Sequence, residues 1–195
     1  MSGDRRMNAR MLTTTALLGA ISSILLFLNF ALPIFPSFIK LDVSDAPALI
    51  ASFAVGPQYG ALVVLVKNLI NLTHTETGGI GELANFTIGC AYVLPAGLIY
   101  RRNKTLRTAV RGMALGVVSM TLVGALMNYF VLIPLYSKFM PIEAIIGMYR
   151  AINPYADTLA KVVLMSVVPF NLLKGTLTAI LTFALYKRLS PILKF

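Results

Sequence analysis

A chain of 195 residues that is 57% hydrophobic and only 12% charged, with its apolar residues in long runs, has a composition selected by lipid and not by water. Its length accommodates about five or six spanning helices of roughly 20 residues each, with no room for a soluble domain of ordinary size, so any energy source must reside on other chains. The net charge of +10 does not indicate nucleic acid, because the charges segregate by side. Arg5, Arg6, Arg10, Arg101, Arg102, Lys104, Arg107, Arg111, Lys187, Arg188 and Lys194 flank apolar runs on one face. Asp42, Asp45, Glu76, Glu82, Glu143 and Asp157 fall in or beside the other set of connections, leaving Asp4 alone on the basic side. The positive-inside rule makes the basic face cytoplasmic, with both termini inside and the basic excess against anionic headgroups.

The first apolar run, residues 11–30, is longer than a signal-peptide core and no small-x-small cleavage site follows it, so it is expected as a retained span. Within it Ala16-Leu-Leu-Gly-Ala20 places small residues four apart with Ser23 one turn further. Such a stripe permits close helix approach, either inside this bundle or against a partner. An external segment punctuated by Pro33 and Pro36 follows. Ser44-Asp45-Ala-Pro47 then reads as a helix start, with a Ser or Asp cap and Pro in the first turn.

Residues 47–72 are apolar but broken at Gly56-Pro-Gln-Tyr-Gly60, which predicts two short helices of about 10 and 13 residues, too short to span a bilayer without tilt or thinning. Transporters tend to place substrate contacts on interrupted helices of this kind. Thr73-His-Thr-Glu-Thr-Gly-Gly-Ile-Gly81 is an external loop, with His74 solvated. Further spans are expected over 82–100, 112–133 and 155–186, with a short external helix at 142–149 and a kink at Pro169 that frees the Met165 carbonyl. The whole chain reads as one all-α membrane domain of six spans, and no internal repeat supports an inverted-repeat carrier. Cys90, the single cysteine, lies in an apolar segment and reads as packing.

Ionisable and amide side chains inside apolar spans are expensive and therefore the first candidates for a site. They are Lys67, Asn68 and Asn71, then Asn85, Asn128, Lys161, Asn171 and Lys174. Asn171 and Lys174, at i and i+3, project from one helix face, and no carboxylate on the same turn neutralises the lysine. Lys174 lies about 20 Å along the helix from Lys187 at 1.5 Å per residue, near or beyond mid-depth, so the site opens outward. Amides donate and accept, which suits a ligand rich in carbonyl, hydroxyl and ring-nitrogen groups. Lys161 is expected to pair with Asp157. Lys67 is either a scaffold partner of Glu82 or a ligand contact, and Asn128 either contacts ligand or bridges helices.

No G-x-x-x-x-G-K-S/T phosphate loop is present, and Gly78-Gly-Ile-Gly81 follows no strand, so neither ATP hydrolysis nor a dinucleotide fold is indicated. No metalloprotease, nucleophile-elbow or paired-carboxylate motif supports an enzyme. A carrier working alone, or a membrane enzyme, are the competing classes.

Leu41-Asp-Val-Ser-Asp45-Ala-Pro47, Gly56-Pro-Gln-Tyr-Gly60, Lys67-Asn-Leu-Ile70, Gly81-Glu-Leu-Ala-Asn85-Phe, Met127-Asn-Tyr-Phe130 and Pro169-Phe-Asn-Leu-Leu-Lys174-Gly together resemble the substrate-binding S components of energy-coupling factor (ECF) transporters, the riboflavin-specific members most of all. The resemblance runs through essentially the whole chain, with the last motif its most specific part. It implies a six-helix fold in a bacterial cell membrane that captures a vitamin from outside. Docking would be onto a transmembrane coupling subunit and two ATPases, whose ATP hydrolysis drives a tilt of the subunit. Riboflavin, or its phosphate FMN, would be the transported ligand and not a cofactor. An S component for another vitamin is the near alternative. Carried over by motif, Asn128, Asn171 and Lys174 bind the ligand, Leu41 and Asp45 cover its ring system, and Ala16 and Ala20 face the coupling subunit. Lys67, Glu82 and Asn85 are candidates for either ligand or scaffold.

Overall fold

The computed structural model describes residues 9–75 and 77–189, with side chains as far as residue 186. Asp4, Arg5, Arg6, Glu76 and Lys194, and the side chains of Lys187 and Arg188, lie outside the described residues. Helix α1 (Ala9–Phe27) leads into a short antiparallel hairpin of β1 (Phe30–Ala31) and β2 (Lys40–Leu41), then α2 (Asp45–Ala54) and α3 (Pro57–Asn71). After a 3-10 turn come α4 (Ile80–Arg102) and α5 (Leu106–Met127). A π turn (Asn128–Leu132) joins α5 to α6 (Ile133–Tyr136), and α7 (Ile142–Arg150) follows. The final helix starts as α8 (Leu159–Val162), widens in a second π turn (Val163–Val167) and ends as α9 (Val168–Leu189).

Six helical segments stand where six spans were expected, but among the described residues only four are long and apolar enough to cross a membrane: Ala9–Phe27, Ile80–Arg102, Leu106–Tyr136 and Leu159–Tyr186. The pair α2 and α3, of 10 and 15 residues, falls short. In α2 every residue from Asp45 to Phe53 is buried, so this helix is enclosed by protein and its length is not set by bilayer thickness. The break between the two rests on Gly56, whose φ of 145° is closed to residues with a Cβ, followed by Pro57 in the first turn of α3.

Three boundaries differ from expectation for local reasons. Helix α5 begins six residues early because Thr105 and Thr108 form a reciprocal capping box, the Thr105 hydroxyl accepting from the Thr108 amide. The last helix starts only at Leu159, where the Thr158 hydroxyl accepts from the Lys161 amide. The distortion expected at Pro169 appears as the π turn that ends two residues before it. The β-hairpin carries no sequence pattern beyond its prolines. Phe30 pairs with Leu41 and Ala31 with Lys40, folding residues 30–41 back on themselves.

The main core joins α2, α3, α4 and α5 through Leu49, Phe53, Val63, Val64, Tyr92, Val93 and Met120. A second cluster, with Ile133, Ile145, Tyr149, Val162 and Val163, fixes α7 against the π turns. Cys90 packs half-buried at the edge of the main core.

Candidate ligand-binding site

Between the hairpin, the end of α1, α4, the π turn after α5, α7 and α9 lies a cavity of about 270 Å³. Its walls are mainly apolar, with Leu26, Phe38, Ile88, Met120, Leu132 and Phe170 among them, and its polar groups include Asp42, Asp45, Asn85, Asn128, Asn171 and Lys174, with Asn29 and Lys40 also at the wall. A few converging polar groups in a mainly apolar enclosure are what a site for a flat organic ligand requires. The cavity shares Asn29, Phe38, Lys40 and Gly81 with a wider vestibule of about 550 Å³, also lined by Phe27, Asn71, His74, Thr77 and Glu82. The way in therefore runs between the hairpin and the turn joining α3 to α4.

Beneath the cavity sits a buried network in which two lysines meet two aspartates. Lys174 Nζ lies 2.7 Å from Asp42 Oδ2 and 3.8 Å from Asp45 Oδ2. Lys67 Nζ lies 2.6 Å from Asp45 Oδ1 and donates to Ser44 Oγ at 2.7 Å. The Ser44 hydroxyl hydrogen-bonds Asp42 Oδ1, which also accepts from the Ser44 amide at 2.9 Å. Ser22 of α1 donates to the Ser44 carbonyl. The network spans α1, the segment before α2, α3 and α9, and its formal charge cancels. Charges with so little water must be paired and hydrogen-bonded to be tolerated.

As expected, no carboxylate on its own helix turn meets Lys174, and its partners come from a segment distant in sequence. One expectation is corrected here. Lys67 does not pair with Glu82: it is fully buried, meets Asp45, and contributes nothing to the cavity wall. Glu82 instead accepts hydrogen bonds from Asn71 Nδ2 at 2.8 Å, Thr75 Oγ1 at 2.9 Å and Thr77 Oγ1 at 3.2 Å, tying down the α3–α4 turn beside the vestibule. Ser44 precedes α2 as expected but caps nothing, because its hydroxyl serves Asp42 and Lys67.

The two asparagines on the long spans share one geometry. Asn128 Nδ2 donates to the Gly124 carbonyl at 2.8 Å and Asn171 Nδ2 to the Val167 carbonyl at 2.9 Å, each four residues back. Both bonds lie beside the π turns, and the Gly124 carbonyl also takes the ladder bond from the Asn128 backbone amide. One amide proton is used in the helix, and the Oδ1 acceptor and second proton of each amide remain for a ligand. Gly124 joins the pair sterically: a Cβ there would lie 2.9 Å from Asn171 Nδ2.

Asp45, Asn85, Asn128, Asn171 and Lys174 are thus brought to one cavity. Leu41 is not at its wall; it is 3% exposed and packs beside Phe35 and Phe170. Sequence pattern places Asp42 only among the acids of the less basic side. The available signal is two carboxylates at the start of a buried helix, equal in number to the two lysines deepest in apolar sequence. Lys161 and Asp157 form an exposed i,i+4 pair at 2.8 Å, and the hydrogen bond from Lys161 holds the Asp157 carboxyl below the usual range. Ala16 and Ala20 are exposed, whereas Thr15, Gly19, Ser22 and Ser23 turn inward. His74 is exposed beside the vestibule, its ring edge-on to Phe27.

Residues 10–186 match the family described as ECF transporter, substrate-specific component. The chain is 35% identical to riboflavin transporter RibU of Staphylococcus aureus (strain TCH60), over 100% of this chain and 99% of the relative. It is 27% identical to riboflavin transporter FmnP of Bacillus subtilis (strain 168), covering 95% and 94% of the two chains. A solved structure of the S component of a bacterial ECF transporter superposes with a TM-score of 0.75 at 34% identity, covering 95% of this chain and 98% of that one.

Proposed function

The chain belongs to the family of ECF transporter substrate-specific components, and from that premise we propose that it is a riboflavin-capturing membrane subunit that delivers its ligand inward when docked on an ATP-driven module. It is a transport subunit and not an enzyme. The observation that carries this reading is the placement of Lys174 and Asn171 together in a cavity with apolar and aromatic walls that opens between the hairpin and the α3–α4 turn.

An isoalloxazine ring is flat, uncharged and apolar over most of its faces, with an edge of alternating carbonyl and N–H groups. Side chains such as Phe38, Ile88 and Phe170 would pack the faces. Asn128 and Asn171, each with an acceptor oxygen and a spare proton, suit the edge, and Lys174 supplies charge-assisted donation. Because Asp42 and Asp45 balance Lys174 and Lys67, the buried network beneath the ligand carries no formal net charge.

The cavity lies at the end of the bundle opposite Arg101, Arg102, Lys104 and Arg107, so with the basic end in the cytoplasm it faces outside. On this reading the protein sits in the bacterial plasma membrane with both termini inside. The exposed Ala16 and Ala20 on α1 offer a small-residue face for a transmembrane coupling subunit, with two ATPases completing the module.

The test is a titration of detergent-purified protein with riboflavin, followed by quenching of flavin fluorescence. Lys174→Ala is expected to weaken binding by at least about 1.5 kcal/mol, the low end for a hydrogen bond to a charged group, or more than about tenfold. Wild-type affinity in that variant would overturn the site, and no quenching by the unmodified protein would overturn the ligand.

A further inference from the structure

On the side of the bundle where α5 packs against α9, the two helices part to leave an open groove of about 540 Å³ whose surface is almost wholly apolar. Val110, Ala114 and Val117 line it from α5, and Ala179, Ile180 and Phe183 from α9. From Val110 to Val117 it runs about 10 Å along the helix at 1.5 Å per residue. The ligand cavity is lined from the opposite halves of both helices, by Met120 and Lys174, so the groove has no part in that site.

At one end the groove meets positive charge. Arg107 precedes Val110 by three residues and Ala114 by seven, which puts it on the groove's face of α5 one turn nearer the basic end. Arg111 precedes Ala114 by three. Both arginines are exposed, and no ion pair engages either among the described residues. An apolar channel of roughly half a bilayer leaflet in length, ending in unpaired guanidinium groups at headgroup depth, has the chemistry of one molecule: a phospholipid with an anionic headgroup.

We propose that the α5–α9 groove is a binding site for an anionic phospholipid, which lays an acyl chain along Val110, Ala114, Val117 and Ile180 and places its phosphate and headgroup on Arg107 and Arg111. A guanidinium binds phosphate through paired N–H donors, and cations near the membrane surface favour anionic over zwitterionic lipid. The groove supplies what a bare basic surface lacks, a fixed seat for the chain beside the charge.

Native mass spectrometry of the full-length protein, released from nanodiscs of equal parts dioleoylphosphatidylglycerol and dioleoylphosphatidylcholine, tests this directly. The unmodified protein is expected to retain the glycerol lipid at least about threefold over the choline lipid. The double variant Arg107→Gln with Arg111→Gln should lose that preference, and Ala114→Phe, at an exposed position within the groove, should lower retention of both lipids. Arg150→Gln, in α7 at the opposite end of the bundle, should change neither. Undiminished riboflavin quenching in the variants shows that they are folded. Equal retention of the two lipids by the unmodified protein, a preference that survives the double variant, or a dimer abolished by Ala114→Phe, which would assign the groove to a second copy of the chain, would each overturn the proposal.

Discussion

Lys174 Nζ and Asp42 Oδ2 lie 2.7 Å apart although 132 positions separate the two residues. The contact ties the last long helix to the segment between the hairpin and α2, and it fixes the direction of the ammonium group proposed to meet the ligand. Removing one member leaves the other buried without its partner, which typically costs 3–5 kcal/mol, whereas removing both is far less costly. Asp42→Asn and Lys174→Met are therefore each expected to lower the thermal unfolding midpoint in detergent, and the double variant to recover most of the loss. Flavin binding should remain weak in the recovered double variant. A double variant no more stable than the worse single one would show that the pair is not a unit.

Lys67 stands behind the cavity and meets Asp45 at 2.6 Å. Lys67→Met is accordingly predicted to act on stability, by about 3–5 kcal/mol. Riboflavin affinity measured well below the unfolding transition should fall less than for Lys174→Ala. A larger loss of affinity than of stability would place Lys67 in direct contact with the ligand.

Glu82 gathers Asn71, Thr75 and Thr77 at the mouth of the vestibule. Glu82→Ala removes the acceptor of all three donors at once and should loosen the α3–α4 turn while leaving the cavity wall intact. The expected result is ligand release and entry both faster by about threefold or more in stopped-flow fluorescence, with a smaller change in Kd, since a gate alters both rates in the same sense. Unchanged rates would make the carboxylate a purely structural acceptor.

Gly124 accepts from Asn128 and leaves room for Asn171. A Cβ at this position must displace the Asn171 amide, so Gly124→Ala is predicted to weaken riboflavin binding by about tenfold, on the scale of a hydrogen bond misplaced. Gly147→Ala meets no atom within 4 Å and is expected to leave binding unaltered. Equal effects of the two, read by the same quenching titration, would remove Gly124 from the positioning of the site.

What one sequence determined is whatever depends on neighbours along the chain. The apolar runs, the broken pair around Gly56 and the Asn171 and Lys174 face follow from helical periodicity, the solvent and backbone sterics, and each is found in the structure. Even the i,i+4 pair of Asp157 and Lys161 belongs to this class. The partners of Lys67 and Lys174 do not. Glu82 lies nearer to Lys67 in sequence than Asp45 does, yet Asp45 takes the contact, because the choice among carboxylates depends on how α2 is enclosed and on the hairpin that folds residues 30–41 back. Packing likewise made α2 an interior helix, whereas α3, the other short helix predicted around Gly56, keeps Leu65, Leu69 and Ile70 exposed. Local periodicity names the face a side chain occupies, and only packing decides which charge waits on the other side of the interface.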